Sequence, residues 1–339
     1  MGPKITVFMA AYNAENYISE SIESILQQTF NDFELLIVND GSTDSTVDIV
    51  LGFSDPRIRL VHNEKNKGLV YTRNVALKEA KGIYIAVLDS DDIATPDRLE
   101  YQYNFFLNNP NFALCGGHGV VINKLGELMN DQRLVVPTEP ERIKMTLLFL
   151  NTYVNSTVMY KTSVLKELNG YREFAPAEDY ELFIRISDLY PVANLDRVLV
   201  KYRDHGSNIS VVQAEVSVIK VTEIKKIQLG NLGIAVSKRI TDTFYSILKW
   251  DFNAYDLADY LALFKLLKSA NQKLEKYPPA AFAKMLFDYW FLIIFSKKTK
   301  MNALAFLFNK NLFKWNYLTA KQFRKTLKLS LKGFGRLTA

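Results

Sequence analysis

The chain has 339 residues, 48% hydrophobic and 23% charged, a globular rather than disordered mix with apolar material for one large domain or two ordinary ones. A single cysteine, Cys115, excludes an intrachain disulfide framework and fits a reducing compartment. The net charge of +6 is uneven, since residues 1–210 carry 20 basic against 28 acidic side chains and residues 211–339 carry 22 against 8, so the two parts are expected to face different partners.

The N-terminal MGPKITVFMAAYN runs straight into a strand-like segment without a long apolar core and cleavage site, so no secretory signal is expected. ITVFMA (5–10) reads as a strand, and Asn13 as the cap of a helix whose apolar positions are Tyr17, Ile18, Ile22, Ile25 and Leu26. FELLIVND (33–40) is a second strand, followed by a short helix around Thr46–Leu51 capped by Ser42 or Thr43. RIRLVHN (57–63) is a third strand, residues 69–81 a helix closed by Gly82, and IYIAVL (83–88) a fourth strand. Thr95-Pro96-Asp97 then reads as a cap, a proline at the first helical position and a first-turn acid, opening a helix that reaches about Asn108. Strands alternating with helices, with continuous apolar runs, indicate a mostly parallel sheet flanked by helices on both faces. In such sheets ligands bind beyond the carboxyl ends of the strands, where Tyr12, Asn13, Asp40 and the Asp89–Asp92 cluster all fall.

Several stretches carry chemistry there. VLDSDDI (87–93) crowds Asp89, Asp91 and Asp92 at a strand end, where like charges raise one another's pKa unless a cation neutralises them. A helix start lies just downstream and accounts for one or two of these acids as caps. A hard divalent cation, Mg2+ or Mn2+, held by one or two carboxylates and by substrate phosphates, accounts for the cluster better. VNDGSTDST (38–46) puts Asp40 at a turn, where an acid commonly accepts from a nucleoside. NKGLVYTRN (66–74) sets Arg73 in the first turns of a helix, either as a surface ion-pair partner or as a diphosphate clamp. FAPAEDYELFIRI (174–186) starts a helix near Ala177 with Glu178 and Asp179 in its first turn, favoured by the helix dipole yet able to present one carboxylate as a general base. KYRDHGSNIS (201–210) holds His205, which from spacing alone is more often structural than a ligand.

Taken in order, FMAAYNAENYISESIESILQQTFNDFELLIVNDGSTDST, NKGLVYTRNVAL, IYIAVLDSDDIATPDRL, AEDYELFIRI and YRDHGSNIS resemble the inverting family 2 glycosyltransferases, from about Ile5 to Ser210. No glycine-rich dinucleotide fingerprint or P-loop competes with that series. The resemblance implies an α/β GT-A fold, a Rossmann-like mostly parallel sheet flanked by helices, as a catalytic domain over 1–210, followed by a mainly α-helical basic region over 211–339. It implies a UDP-sugar donor, a saccharide or lipid-linked acceptor, and a divalent cation. Position by position, Ala10, Tyr12 and Glu15 match the first nucleotide-contacting turn, Asp40 the acid that reads uracil or ribose, and Arg73 an arginine near base and diphosphate. Asp89-Ser90-Asp91 is similar to the DXD motif, with Asp91 the favoured metal ligand, Asp89 nearer the ribose, and Asp92 a supporting alternative. Asp179 matches the catalytic base and His205 a further metal or diphosphate contact. The family commonly has proline where this chain has Ala10.

Two other readings weigh less: a non-catalytic saccharide- or nucleotide-binding module on the same scaffold, and a sugar nucleotidyltransferase. The second needs a glycine-rich, basic loop after the first strand, which AAYNAEN is not.

In residues 284–339 the only acid is Asp288, and lysines interleave with Trp290, Phe291, Phe295, Phe306, Phe308, Phe313, Trp315 and Tyr317. The most apolar run, MLFDYWFLIIF (285–295), is too short by itself to span a bilayer. Peripheral attachment to an anionic membrane on its cytoplasmic face is expected over a helical subdomain with a solvated basic face. Nucleic acid is not expected as a partner, for lack of a binding motif.

Overall fold

The structure, a computed structural model, describes residues 2–296 and 307–334. Phe306 and the lysines between 297 and 300 lie outside them. The chain divides into two compact units, Met1–Val221 and Thr222–Ala339.

The first unit is built on one sheet with strands β1 (Ile5–Ala11), β2 (Phe33–Asn39), β3 (Ile58–His62), β4 (Tyr84–Val87), β5 (Ile93–Ala94), β6 (Leu114–Ile122), β7 (Leu128–Leu134), β8 (Met159–Lys161) and β9 (Val192–Arg203). Their spatial order is β3-β2-β1-β4-β8-β6-β9-β5, with β7 pairing off β6. The run β3-β2-β1-β4 is parallel throughout. Its central strands are apolar at successive positions because both faces are covered, and Ile5, Val7, Met9, Leu35, Leu36 and Ile37 have no exposed surface. The other half is mixed, with β8 antiparallel to both β4 and β6, and β9 parallel to β6. The antiparallel β8 decides what surrounds the aspartates, because the 3-10 turn Asn155–Thr157 that precedes it is brought to the carboxyl end of β4.

Around the sheet lie α1 (Ile18–Leu26), α2 (Thr46–Leu51), α3 (Leu69–Glu79), α4 (Arg98–Asn108), α5 (Pro140–Thr146), α6 (Thr162–Glu167), α7 (Glu178–Leu189) and α8 (Ile209–Val212). The expected helices form, but their starts differ. Asn13 does not cap α1, which begins after Tyr17. Instead Asn13 takes a left-handed φ of 48° and its Oδ1 accepts the Thr43 N–H at 2.9 Å. Thr95 does not cap α4 and Pro96 is not its first residue, since the Thr95 hydroxyl donates to the Leu199 carbonyl and the helix starts at Arg98. In both places a tertiary hydrogen bond claims the side chain that local spacing assigned to a cap. The inner face of α1 buries Ile18, Ile22 and Ile25 completely, each contributing roughly 1.5–3 kcal/mol.

The second unit takes in the end of α9 (Ala214–Asn231), then α10 (Lys238–Leu248), α11 (Leu257–Leu274), α12 (Pro279–Ser296) and α13 (Ala320–Phe334). Phe264 of α11 meets Trp290 of α12 edge to face, with ring centroids 6.3 Å apart. The apolar run 285–295 therefore belongs to a longer element than its own length suggests, because Pro279 opens the helix a turn and a half upstream. By length and composition α12, with mean hydropathy 1.3, is long and apolar enough to cross a membrane. Yet Phe282, Leu286, Phe287, Trp290 and Ile293 are all packed inside this unit.

Candidate active site

The parallel strands deliver two loops to one edge, and hydrogen bonds lace them together. Ala10 is the penultimate residue of β1, in register with Val38. Beyond it, Asn13 N–H donates to Ser42 Oγ at 3.1 Å and Glu15 N–H to Asp44 Oδ2 at 3.1 Å. Glu15 Oε2 accepts the Ser45 N–H at 3.0 Å in return, while the Tyr12 ring stays 49% exposed above. Glu15 thus clamps the loop after β1 to the loop after β2. Asp40 is buried and organises the next loop: Oδ1 accepts from Asn63 Nδ2 at 2.8 Å and Lys67 N–H at 2.9 Å, and Oδ2 from Gly68 N–H at 2.9 Å. Gly68 has φ +87°, which lets its N–H reach that carboxylate at the start of α3. A Cβ on Gly41, itself at φ +75°, would lie 2.6 Å from the Lys65 carbonyl carbon, so this junction needs glycine.

The aspartates after β4 separate into three environments. Asp89 takes two bonds from Asn155 Nδ2, at 3.0 and 3.1 Å, and one from Ser156 Oγ at 3.0 Å. Ser90 is half-buried beside it. Asp92 has no exposed surface, and its Oδ1 accepts the Arg203 N–H of β9 at 2.8 Å. Burial, helped by Asp91 and Asp89, holds its pKa well above the usual carboxylate range. Asp92 was an alternative metal ligand in the sequence, but here its carboxylate is turned into the fold, where it fastens the loop to β9. Beneath the loop, Arg98 is fully buried, donating to the carbonyls of Val87 and Val158, and burial lowers its pKa to about 10.

Asp91, like Asp89, is partly exposed, and it alone of the three has a histidine partner. His205 Nε2 lies 3.0 Å from Asp91 Oδ2, and its Nδ1 lies 2.8 Å from Ser207 Oγ. Tyr17 stacks on the imidazole, centroids 5.0 Å apart, and also lies under the Arg203 guanidinium at 4.8 Å. That guanidinium donates to the Asp91 carbonyl at 2.8 Å and to Glu20 Oε2 at 2.7 Å, fixing the backbone that carries Asp91. Burial and Asp89 raise the Asp91 pKa, with His205 opposing them. Among the described residues no three His, Cys, Asp or Glu side chains are grouped to hold a metal by themselves. The donor set that does converge, one carboxylate oxygen and one imidazole nitrogen, fits a divalent cation completing its shell from a bound diphosphate.

Arg73 is not the open clamp or surface residue that the sequence allowed. Its side chain is 5% exposed, with Nε 3.3 Å from Glu178 Oε1, Nη1 donating to Asn155 Oδ1 at 3.3 Å, and the guanidinium 5.2 Å from the Tyr171 ring centroid. Burial opposes its charge, but Glu178, Tyr171, Asp89 and Asp179 outweigh burial and keep it firmly protonated. Glu178 is 1% exposed at the first position of α7, and Asp179 is half-buried beside it. Burial first, then Glu178, push the Asp179 pKa up to about 6, against the pull of Arg73. Asn155, Ser156 and Arg203 were not among the sequence candidates, whereas Glu178 was one of the two acids noted at the start of α7. Arg203 ends β9, within the KYRDHGSNIS stretch singled out for His205; Asn155 and Ser156 reach the site only through the pairing of β4 with β8.

The profile of a family described as Glycosyl transferase family 2 matches residues 6–168. The chain is 34% identical over 244 residues to the Escherichia coli UDP-Glc:alpha-D-GlcNAc-diphosphoundecaprenol beta-1,3-glucosyltransferase WfgD, covering 71% of this chain and 90% of that one. Among solved structures it shares its fold with S. aureus TarS 1–349 in complex with UDP-GlcNAc, at a TM-score of 0.56, 20% identity, and coverage of 97% and 92%. It likewise shares it with the mannosyltransferase PcManGT from Pyrobaculum calidifontis in complex with GDP-Man and Mn2+, at a TM-score of 0.53, 16% identity, and coverage of 98% and 88%.

Proposed function

The chain belongs to the family 2 glycosyltransferases, and from that premise we propose that it moves a sugar from a UDP donor to a hydroxyl of a lipid-linked or cell-surface saccharide, with inversion and with a divalent cation. The observation that carries this reading is the Asp91–His205 donor pair after β4, together with a raised-pKa carboxylate, Asp179, that faces Asp89 of the same loop. Support for the donor and acceptor comes from the printed name of the E. coli relative, a UDP-glucose enzyme acting on a diphosphoundecaprenol acceptor, and from the UDP-GlcNAc held by the fold neighbour TarS.

Each residue then has a task. Tyr12 offers an exposed ring to the base, and Glu15 and Asp40 shape the two loops around the nucleoside, alongside the backbone at Ala10. Asp89 and Ser90 border the ribose and diphosphate, while Asp91 and His205 would hold Mn2+ or Mg2+, which when bound neutralises the departing diphosphate. Asp179 takes the proton from the acceptor hydroxyl as that oxygen attacks the anomeric carbon opposite the leaving group. A single displacement inverts the centre and needs no covalent enzyme intermediate. The basic 284–339 segment would hold the enzyme against the cytoplasmic face of an anionic membrane, within reach of a lipid-linked acceptor.

The test is a panel of UDP- and GDP-sugars assayed for thermal stabilisation and for metal-dependent release of the nucleotide. Stabilisation and release with a UDP-sugar are expected. A GDP-sugar alone doing so would overturn the donor assignment, and binding without turnover would recast the chain as a saccharide- or nucleotide-binding module.

A further inference from the structure

Arg73 and Glu178 form an ion pair almost wholly out of water, 5% and 1% exposed, with Nε and Oε1 3.3 Å apart. Neither Arg73 Nε nor Glu178 Oε2 makes a directed hydrogen bond. Such a pair adds little net stability, because desolvation offsets the attraction. What it does supply is a fixed pattern of charge. Glu178 precedes Asp179 at the first turn of α7, while Arg73 reaches from α3 to the same point and continues to Asn155 at 3.3 Å. The Asn155 amide in turn donates to both oxygens of Asp89. One chain of contacts therefore runs from the first turn of α7, which carries Asp179, to the Asp89 loop after β4.

We infer that the buried Arg73–Glu178 pair is a positioning device for Asp179, fixing the charge around that carboxylate and tying its helix, through Asn155, to the Asp89 loop. The inference rests on Asp179 being the general base. The groups facing Asp179 are Glu178 on its own helix, Arg73 of α3, Asp89 after β4, the phenols of Tyr160 and Tyr171, and the Tyr180 N–H at 2.6 Å. Of these, Glu178 and Arg73 are the nearby opposed charges, so removing one or the other should move Asp179 in opposite directions. Without Glu178 the carboxylate holds its proton less tightly; without Arg73 it holds it more tightly.

The experiment follows Asp179 directly and needs no donor. The full chain is labelled with a carbodiimide, which reacts with protonated carboxyls, from about pH 4 to about pH 8, and Asp179 is read by peptide mass spectrometry. The wild-type midpoint is expected at about 6. Glu178→Gln should lower it by about one unit and Arg73→Met should raise it by a similar amount. A merely structural pair would shift both variants the same way or neither, and either result overturns the inference. Because Arg73→Met leaves Glu178 buried and unpaired, that variant is prone to unfold. The double variant R73M/E178Q then keeps the test: its midpoint should lie above that of Glu178→Gln alone, and equality would deny Arg73 any influence. Asp179→Asn separates the two claims, since retained turnover there would remove the base assignment without touching the labelling result.

Discussion

Asp91 Oδ2 and His205 Nε2 lie 3.0 Å apart although 114 residues separate them in the chain. The contact exists because β9 returns alongside β6 and ends next to the loop after β4, where Arg203 binds the Asp91 carbonyl and Tyr17 stacks against the imidazole. With both donors held from behind, His205→Ala should weaken Mn2+ binding in the presence of UDP by at least about tenfold. Calorimetric titration of Mn2+ into the UDP-saturated protein measures this. Unchanged affinity would take His205 out of the proposed metal site.

The neighbouring Asp92 should behave oppositely. Burial raises its pKa, and its buried Oδ1 accepts the Arg203 N–H, a bond that an amide oxygen accepts equally well. Asp92→Asn is expected to leave Mn2+ affinity within about twofold, whereas Asp91→Asn abolishes it. Asp92→Ala removes the acceptor and strands a buried N–H, which should cost about 1–3 kcal/mol in urea unfolding. A loss of metal binding in Asp92→Asn would reinstate it as a ligand.

The alternation of apolar runs and capped segments was enough to anticipate β1 to β4 and the helices between them, since central parallel strands write their burial directly into sequence. It also placed Tyr12, Asp40 and Asp89–Asp92 at strand ends on one edge. What local spacing could not deliver was anything set by long-range pairing. Asn155 and Ser156 reach Asp89 only because β8 lies antiparallel to β4, and a stretch reading NST carries no mark of that. The same holds for Arg73: its spacing permits a clamp or a surface residue, but only the fold brings Glu178 beside it, 105 positions later in the chain. The caps failed for a related reason, as Asn13 and Thr95 spend their hydrogen bonds across the fold.

The basic segment makes a separate prediction. Trp315 is 70% exposed, Phe308 41% and Phe323 46%, among the exposed cations Lys310, Lys314, Lys321 and Arg324. Aromatic rings with lysines and no acid suit an anionic lipid surface. The chain should sediment with phosphatidylglycerol vesicles at low salt and be released by high salt. At about 1 kcal/mol per basic residue, the triple change Lys314→Gln, Lys321→Gln, Arg324→Gln should weaken binding by about a hundredfold. Equal sedimentation with purely neutral vesicles would rule out the electrostatic account.

Asp179 sets activity against stability, and both sides can be measured. With its pKa pushed up to about 6 from 3.8 by burial and by Glu178, Asp179 as the proposed base should put the acid limb of the transfer rate near pH 6, below which it is protonated. Asp179→Asn should lower transfer by about a hundredfold to ten-thousandfold while UDP affinity stays within about twofold. For stability the sign runs the other way. A carboxyl whose folded pKa is raised stabilises the fold below its unfolded pKa, near 3.8, and that contribution is lost as pH rises through about 6. At pH 7, therefore, the wild-type fold carries an ionised carboxylate it disfavours, and the neutral amide does not. Asp179→Asn should melt at a higher temperature than wild type at about pH 7, with the difference closing by about pH 4, where both side chains are largely neutral. Thermal melts at the two pH values decide it: coincident melting at pH 7 would mean that the fold does not resist the charge it places at the proposed base.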